Sequence, residues 1–208
     1  MYVPPAFALA DLHEMHAVIR ASRLGVLVTT CRTGGLQSTP LPLFIDSEEG
    51  EYGTIYGHVA RANPQWKSSV ESEAMALFLG PNAYITPSWY ATKVETGKVV
   101  PTWNYVAVEA HGPVEFFDDP ERLLDVVTRL TRIYEQPRDK PWAVTDAPAD
   151  FIKAQLRGIV GIRMPVVRMD GKRKMSQNRN AEDRAGVIEG LSQSDNPQDT
   201  VVAGLVPR

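Results

Sequence analysis

Thr102 to Phe117 carries the clearest strand signal in the chain. Tyr105, Ala107 and Glu109 alternate there against Val106, Val108 and Ala110, the two-residue period of a pleated backbone. Gly112-Pro113 predicts a bend or bulge within it. Shorter segments of the same kind surround this one. Val26 to Cys31 is a β-branched run, and Arg32-Thr33-Gly34-Gly35 supplies a turn before a second extended segment, Leu36 to Ile45. Pro40 and Pro42 lack the N–H that a central strand needs, so that segment belongs at an edge, a bulge or a barrel rim. Tyr52 to Val59, Ala74 to Leu79, Tyr84 to Thr86 and Ile159 to Met169 complete the strand set. Many short strands with tight turns and a few helices predict a small antiparallel barrel with helical decorations.

The helices have their own punctuation. Asp11 with Glu14 three residues on reads as a capping box opening a helix through about Arg23. Asn63-Pro64 begins a short helix. Asp119-Pro120 opens the strongest one, to Gln136, with Leu123, Leu124, Val127, Leu130 and Tyr134 on one face. Further helices are expected over Ala149 to Leu156 and Ala181 to Leu191. Pro87 to Val100 reads as a long polar and aromatic loop. Residues 1–191 are expected to form one domain, and 192–208 a polar tail with a short apolar end.

Composition narrows the function classes. With 43% hydrophobic and 23% charged residues the chain is not broadly disordered. A net charge of −3 leaves nucleic-acid contact to a local patch. Cys31 stands alone, which excludes an intrachain disulfide framework and a Cys-rich zinc site. No basic residue precedes a secretory-type apolar run at the start, and no eighteen apolar residues run together, so a soluble, cytoplasmic protein is expected, with no membrane partner. Gly-rich Rossmann turns, P-loops, His-Glu-x-x-His and Gly-x-Ser-x-Gly motifs are absent from the sequence.

Four clusters combine cations or amides with hydroxyls: His58 to Asn63, Ser88-Trp89-Tyr90 with Thr92 and Lys93, Thr102 to Tyr105, and Lys172 to Arg179. Such a mixture suits a planar ligand carrying a phosphate: cations bind the phosphate, amides read a ring edge, and Trp covers a face. In a strand, Thr102 and Asn104 point opposite to Trp103. Thr102 and Asn104 are read as lining the site, and Trp103 as packing or interface. Trp66 and Trp142 are read as core.

Met1 to Pro4, Gly57 to Trp66, Gly80 to Tyr90, Val100 to Tyr105 and Lys174 to Arg179, in that order, closely resemble the PaiB-type family, described as FMN-binding negative transcriptional regulators. The resemblance runs from Met1 to about Leu191. It implies an FMN-binding split β-barrel, mainly β with α decorations, similar to pyridoxamine-phosphate oxidase, built as a homodimer with the cofactor between subunits. Where that family usually reads Thr-His-Leu-Pro, this chain has Thr39-Pro40-Leu41-Pro42, so any role of that His is not carried over.

The resemblance places Lys174, Ser176, Gln177 and Arg179 on the flavin, with Lys172 and Arg173 left as candidates for a DNA contact. His58, Arg61, Asn63, Lys93, Thr102 and Asn104 complete the candidate cofactor set. Each has a structural alternative: a satisfied histidine, a surface ion pair for Arg61, a helix cap for Asn63, a solvated Lys93. No catalytic residue is singled out. A flavin-dependent oxidoreductase and a related barrel holding another planar cofactor such as haem are the alternative functions.

Overall fold

The computed structural model describes residues 1–69 and 73–208. In chain order the elements are α1 (Leu12–Ala21), β1 (Gly25–Thr30), β2 (Leu36–Leu41), β3 (Leu43–Asp46), β4 (Thr54–Ala60), α2 (Gln65–Ser68) and β5 (Glu73–Ile85). Then follow α3 (Ala91–Thr96), β6 (Thr102–Pro113), β7 (Glu115–Phe117), α4 (Pro120–Glu135), α5 (Ala149–Leu156), β8 (Ile159–Pro165), β9 (Arg168–Lys174), α6 (Ala181–Ser192) and α7 (Pro197–Leu205). The chain divides into two units: Met1–Val18 with Leu79–Val108 and Asp170–Arg208, and Ile19–Phe78 with Glu109–Met169.

In the second unit, β1 pairs antiparallel with β2 and with the start of β5, Val26 facing Pro40 on one side and Leu77 on the other. β2 lies at the sheet edge, the place where Pro40 costs no ladder bond. The expected segment Leu36 to Ile45 is two strands, because Pro42 ends β2 and β3 begins at Leu43. A four-stranded sheet in the order β3-β4-β8-β7 carries the register Ile55 to Met164, Gly57 to Ile162 and Val59 to Val160. A core of Phe44, Phe117, Leu123, Val126, Leu130 and Leu156 joins these strands to α4 and α5. Each such buried side chain contributes roughly 1.5–3 kcal/mol.

Asp119 caps α4 as expected, accepting from Arg122 N at 2.9 Å. The buried stripe is narrower than expected, however. Leu124 and Tyr134 lie at its rim, and Tyr134 Oη donates instead to Arg23 O at 3.1 Å.

In the first unit, the ends of β5, the start of β6 and β9 are successive neighbours, and α6 packs on α7 through Val187, Leu191, Val202 and Ala203. The expected polar tail past Ser192 thus contains a helix, Pro197–Leu205, with Asn196 capping it and Pro197 at its first position. Three expectations need correction. The two short strands at Ala74 to Leu79 and Tyr84 to Thr86 are one strand, β5, running through Gly80-Pro81. The loop from Pro87 to Val100 is largely helical. Thr86 Oγ1 accepts from Ser88 N, a 3-10 turn covers Pro87–Trp89, and α3 ends on Gly97 at φ 66. Ile159 to Met169 is split into β8 and β9, and β9 runs on through Lys174.

One buried amide fastens the β1–β2 hairpin to α2. Gln65, 1% exposed, donates from Nε2 to Thr29 Oγ1 at 3.0 Å and to Leu27 O at 3.2 Å, and its Oε1 accepts from Thr39 Oγ1 at 2.6 Å. Gln65→Leu keeps most of the volume but orphans these groups in a place water reaches poorly. We expect a loss of about 2–4 kcal/mol in urea unfolding; an unchanged midpoint would contradict this account.

Candidate functional site

Within the first unit, β6 and β9 run side by side, and their pleats decide which side chains meet. Thr102 and Asn104 share one face of β6. Lys174, the last residue of β9, donates from Nζ to Thr102 Oγ1 and to Trp103 O at 2.7 Å. Asn104, 1% exposed, donates from Nδ2 to Ser176 Oγ at 3.0 Å. Trp103 points the other way, 53% exposed, and meets Tyr84 edge to face at 6.1 Å between centroids.

The chain leaves β9 through a tight turn closed by Arg179 N donating to Ser176 O at 3.0 Å. Ser176 sits at φ 59, a left-handed backbone that Ser rarely adopts, and its bond to Asn104 helps hold it there. Gln177 is spent on the same turn. Its Oε1 accepts from Met175 N at 2.6 Å, and its Nε2 donates to Arg173 O at 2.5 Å.

The electrostatics of this turn are one-sided. Lys172 is buried; its ammonium donates to Tyr2 O at 3.1 Å and lies 5.6 Å and 5.2 Å from the Tyr2 and Tyr105 ring centroids. Arg173 pairs with Glu14 at 3.3 Å. Arg179 places its guanidinium 4.3 Å from the Tyr90 ring centroid, with Asp183 Oδ2 at 3.9 Å. Lys174 has no carboxylate partner among the described residues, only a hydroxyl and a carbonyl. Burial, and then the charges of Lys172 and Arg179, hold its pKa below the ordinary lysine range. Hydroxyl and amide donors around a partly buried, uncompensated ammonium form a donor set that fits an anion with several oxygens.

The remaining candidates are placed differently. His58, Arg61 and Asn63 belong to the second unit. His58 on β4 pairs with Gly161 of β8; its Nδ1 is buried without a hydrogen-bond partner, and burial pushes its imidazole pKa down. Arg61 donates from Nε to Arg157 O at 2.7 Å and from Nη2 to Ile159 O at 3.1 Å, and faces Asp118 at 3.4 Å, which clamps the entry to β8. Asn63 caps: its Oδ1 accepts from Gln65 N at 2.9 Å, and its Nδ2 donates to Thr39 Oγ1 at 3.0 Å. Lys93 is exposed on α3 and donates to Ser88 Oγ at 3.2 Å. Trp142 is 46% exposed and so is not a core residue, since its position after Pro141 leaves it outside the helices. Trp66 is half-buried, donating from Nε1 to Arg61 O at 3.0 Å.

Asp183 escaped the sequence reading, and Tyr90, part of the Ser88-Trp89-Tyr90 cluster, was given no role there. Tyr90 is 2% exposed beneath Arg179, and Asp183 is 1% exposed beside it. Their signal lies in α6. A Cβ on Gly186 would stand 2.0 Å from Trp89 O, and one on Gly190 2.2 Å from the Trp89 ring, so these two glycines mark where the 87–90 turn rests on the helix.

Comparison with known proteins gives the family and the fold. Residues 1–168 match a family model described as "Putative FMN-binding domain". The chain is 34% identical over 207 residues to the protease synthase and sporulation protein PAI 2 of Bacillus subtilis, covering 99% of this chain and 96% of that protein. Among solved structures, the flavocytochrome Anf3 of Azotobacter vinelandii superposes with a TM-score of 0.59 at 14% identity, covering 86% of this chain and 75% of that one. The FAD and haem binding protein of Mycobacterium smegmatis gives 0.59 at 11% identity, covering 84% and 77%. The fold is thus mainly β with helical decorations, a split rather than a closed barrel. Among the described residues no helix is long and apolar enough to cross a membrane. With its family model and its full-length relative in agreement, the chain belongs to the PaiB-type family of FMN-binding-domain proteins.

Proposed function

We propose that the chain binds FMN, with the phosphate taken by Lys174 and Arg179 and the hydroxyls of Thr102 and Ser176 beside them, and that it acts as a negative transcriptional regulator of the PaiB type. The observation that carries the flavin reading is Lys174: a partly buried ammonium, pressed by two further cations, with no carboxylate to answer it among the described residues. A phosphate there turns a repulsive cluster into an attractive one. When bound, the flavin ring supplies the redox chemistry. The chain's own part is positional. Asn104 and Gln177 fix the turn that carries Ser176 and Arg179, and Lys174 holds its proton at Nζ. His58 Nδ1, buried and unpartnered, is a second polar atom suited to a ligand edge. Arg61 and Asn63, with hydrogen-bonding groups committed to β8 and α2, serve the fold in this reading.

The regulatory half rests on likeness along the whole chain to a protein named for protease synthesis and sporulation. Lys172 and Arg173 do not carry a DNA contact in this reading, because Lys172 is buried on Tyr2 and Tyr105 and Arg173 is paired with Glu14. We also propose a homodimer, supported by Leu79, Tyr84 and Trp103, large apolar side chains of the first unit that are 63%, 50% and 53% exposed.

The absorption spectrum of freshly purified protein, followed by titration of stripped protein with FMN and riboflavin, tests the flavin reading. Lys174→Ala should weaken FMN binding about ten- to a hundred-fold, with riboflavin affinity nearly unchanged. Equal affinity of wild type and variant for FMN would place the phosphate elsewhere.

The pH dependence has a definite sign. Binding needs Lys174 charged, and in the free protein its pKa is lowered from 10.5, so FMN affinity should fall as pH rises, beginning below the range of an ordinary lysine. Riboflavin affinity should lack this limb, and FMN should lose it in Lys174→Ala. Sedimentation should show a dimer at micromolar concentration; a monomer that retains FMN would remove the dimer proposal.

A further inference from the structure

Arg179 is held in an unusual way for a guanidinium in a polar turn. Its side chain is 24% exposed, yet its carboxylate neighbour Asp183 stands off at 3.9 Å, and the planar head rests over the Tyr90 ring at 4.3 Å. Asp183 is itself 1% exposed. Its oxygens are taken by Thr92, accepting from the backbone N at 2.9 Å and from Oγ1 at 3.0 Å. The carboxylate therefore anchors the start of α3 to the start of α6, and supplies negative charge to Arg179 without consuming its N–H groups in a short bidentate pair.

Beneath the guanidinium, Tyr90 Oη is buried and makes no hydrogen bond of ordinary geometry. The two supports differ in kind, one a ring face and the other a charge carried by α6. Together they restrict where Arg179 can go while leaving its donors for something else. The donors lie at the end of a four-residue turn whose first member, Ser176, is locked to Asn104. Only Met175 separates that turn from Lys174.

We propose that Asp183 and Tyr90 are positioning residues that set the preference of this site for a phosphorylated flavin over an unphosphorylated one, by presenting Arg179 to the phosphate. The inference rests on the FMN reading above and extends it to two side chains that need not touch the ligand. Neither a cap nor a core residue in that place would separate the two ligands. A purely structural loss lowers affinity for both, whereas misplacing Arg179 lowers affinity only for the one with a phosphate.

The test uses full-length protein stripped of flavin and titrated with FMN and with riboflavin. Asp183→Asn retains an acceptor for Thr92 and removes the charge. It should weaken FMN about tenfold and leave riboflavin unchanged. In an Arg179→Met background the same substitution should produce no further change in the FMN-to-riboflavin ratio. An unchanged ratio in Asp183→Asn, with a ratio that falls in Lys174→Ala, would overturn the positioning proposal and leave the flavin reading standing. A wild type that does not distinguish the two ligands would overturn the flavin-phosphate reading itself. Should Asp183→Asn fail to fold, Tyr90→Leu asks the same question from the other support. It should lower the ratio in the same direction, and an unchanged ratio there would likewise overturn the proposal.

Discussion

Lys174 ends β9 with its ammonium on a hydroxyl and a carbonyl, neither of which carries formal charge. The neighbouring cations are each answered differently. Lys172 has its charge dispersed over two tyrosine rings, and Arg173 is answered by Glu14. Arg179 has a distant carboxylate and a ring. A cluster of cations would loosen the end of a strand unless something rigid opposed it. The opposition comes from uncharged bonds, namely Asn104 to Ser176 and the two ends of the Gln177 amide. The turn is thus braced by dipoles and left hungry for charge.

The second unit shows the opposite balance. Three of its cations are closely matched: Arg163 with Glu49 at 2.5 Å, Arg129 with Asp46 at 2.6 Å, Arg122 with Glu115 at 2.7 Å. Hydrogen bonds from those guanidinium groups lower the pKa of Asp46 and Glu115, and the carboxylates stay ionised around the apolar core of α4 and β4. Arg61 follows the same habit, closing on carbonyls at the mouth of β8. An arginine in a polar cluster is therefore not by itself a ligand group. What its N–H groups already hold decides the matter.

That distinction explains how much could be read from the residues. The alternation of Thr102 to Phe117 gave β6 its place, and the same period put Thr102 and Asn104 on one side and Trp103 on the other. Asp119 and Pro120 gave α4 its start, whereas α7, opened by Asn196 and Pro197, fell in a stretch that reads as a polar tail. The hidden part involved contacts distant in sequence. Nothing near Lys172 announces that Tyr2 will cover it, 170 residues away, and nothing near Asp183 announces Thr92. Nothing in the basic run Lys172 to Arg179 marks its first three residues as strand, because charge is a local property and strand pairing is not. Short helices such as α3 were lost for a related reason: six residues carry too little periodicity to outweigh a polar composition.

The bare surface of α6 at Gly186 and Gly190 sets a narrower rule than any charge in the molecule. The Trp89 carbonyl and ring occupy the volume that a single methyl group would need at either position. Alanine, the mildest and most helix-favouring exchange a helix can accept, is there the disruptive one. The helix accepts the weaker propensity of two glycines, four residues apart, to let a turn lie directly on its backbone. Mutational tolerance along α6 should therefore run against the usual propensity scale on that one stripe and follow it on the rest.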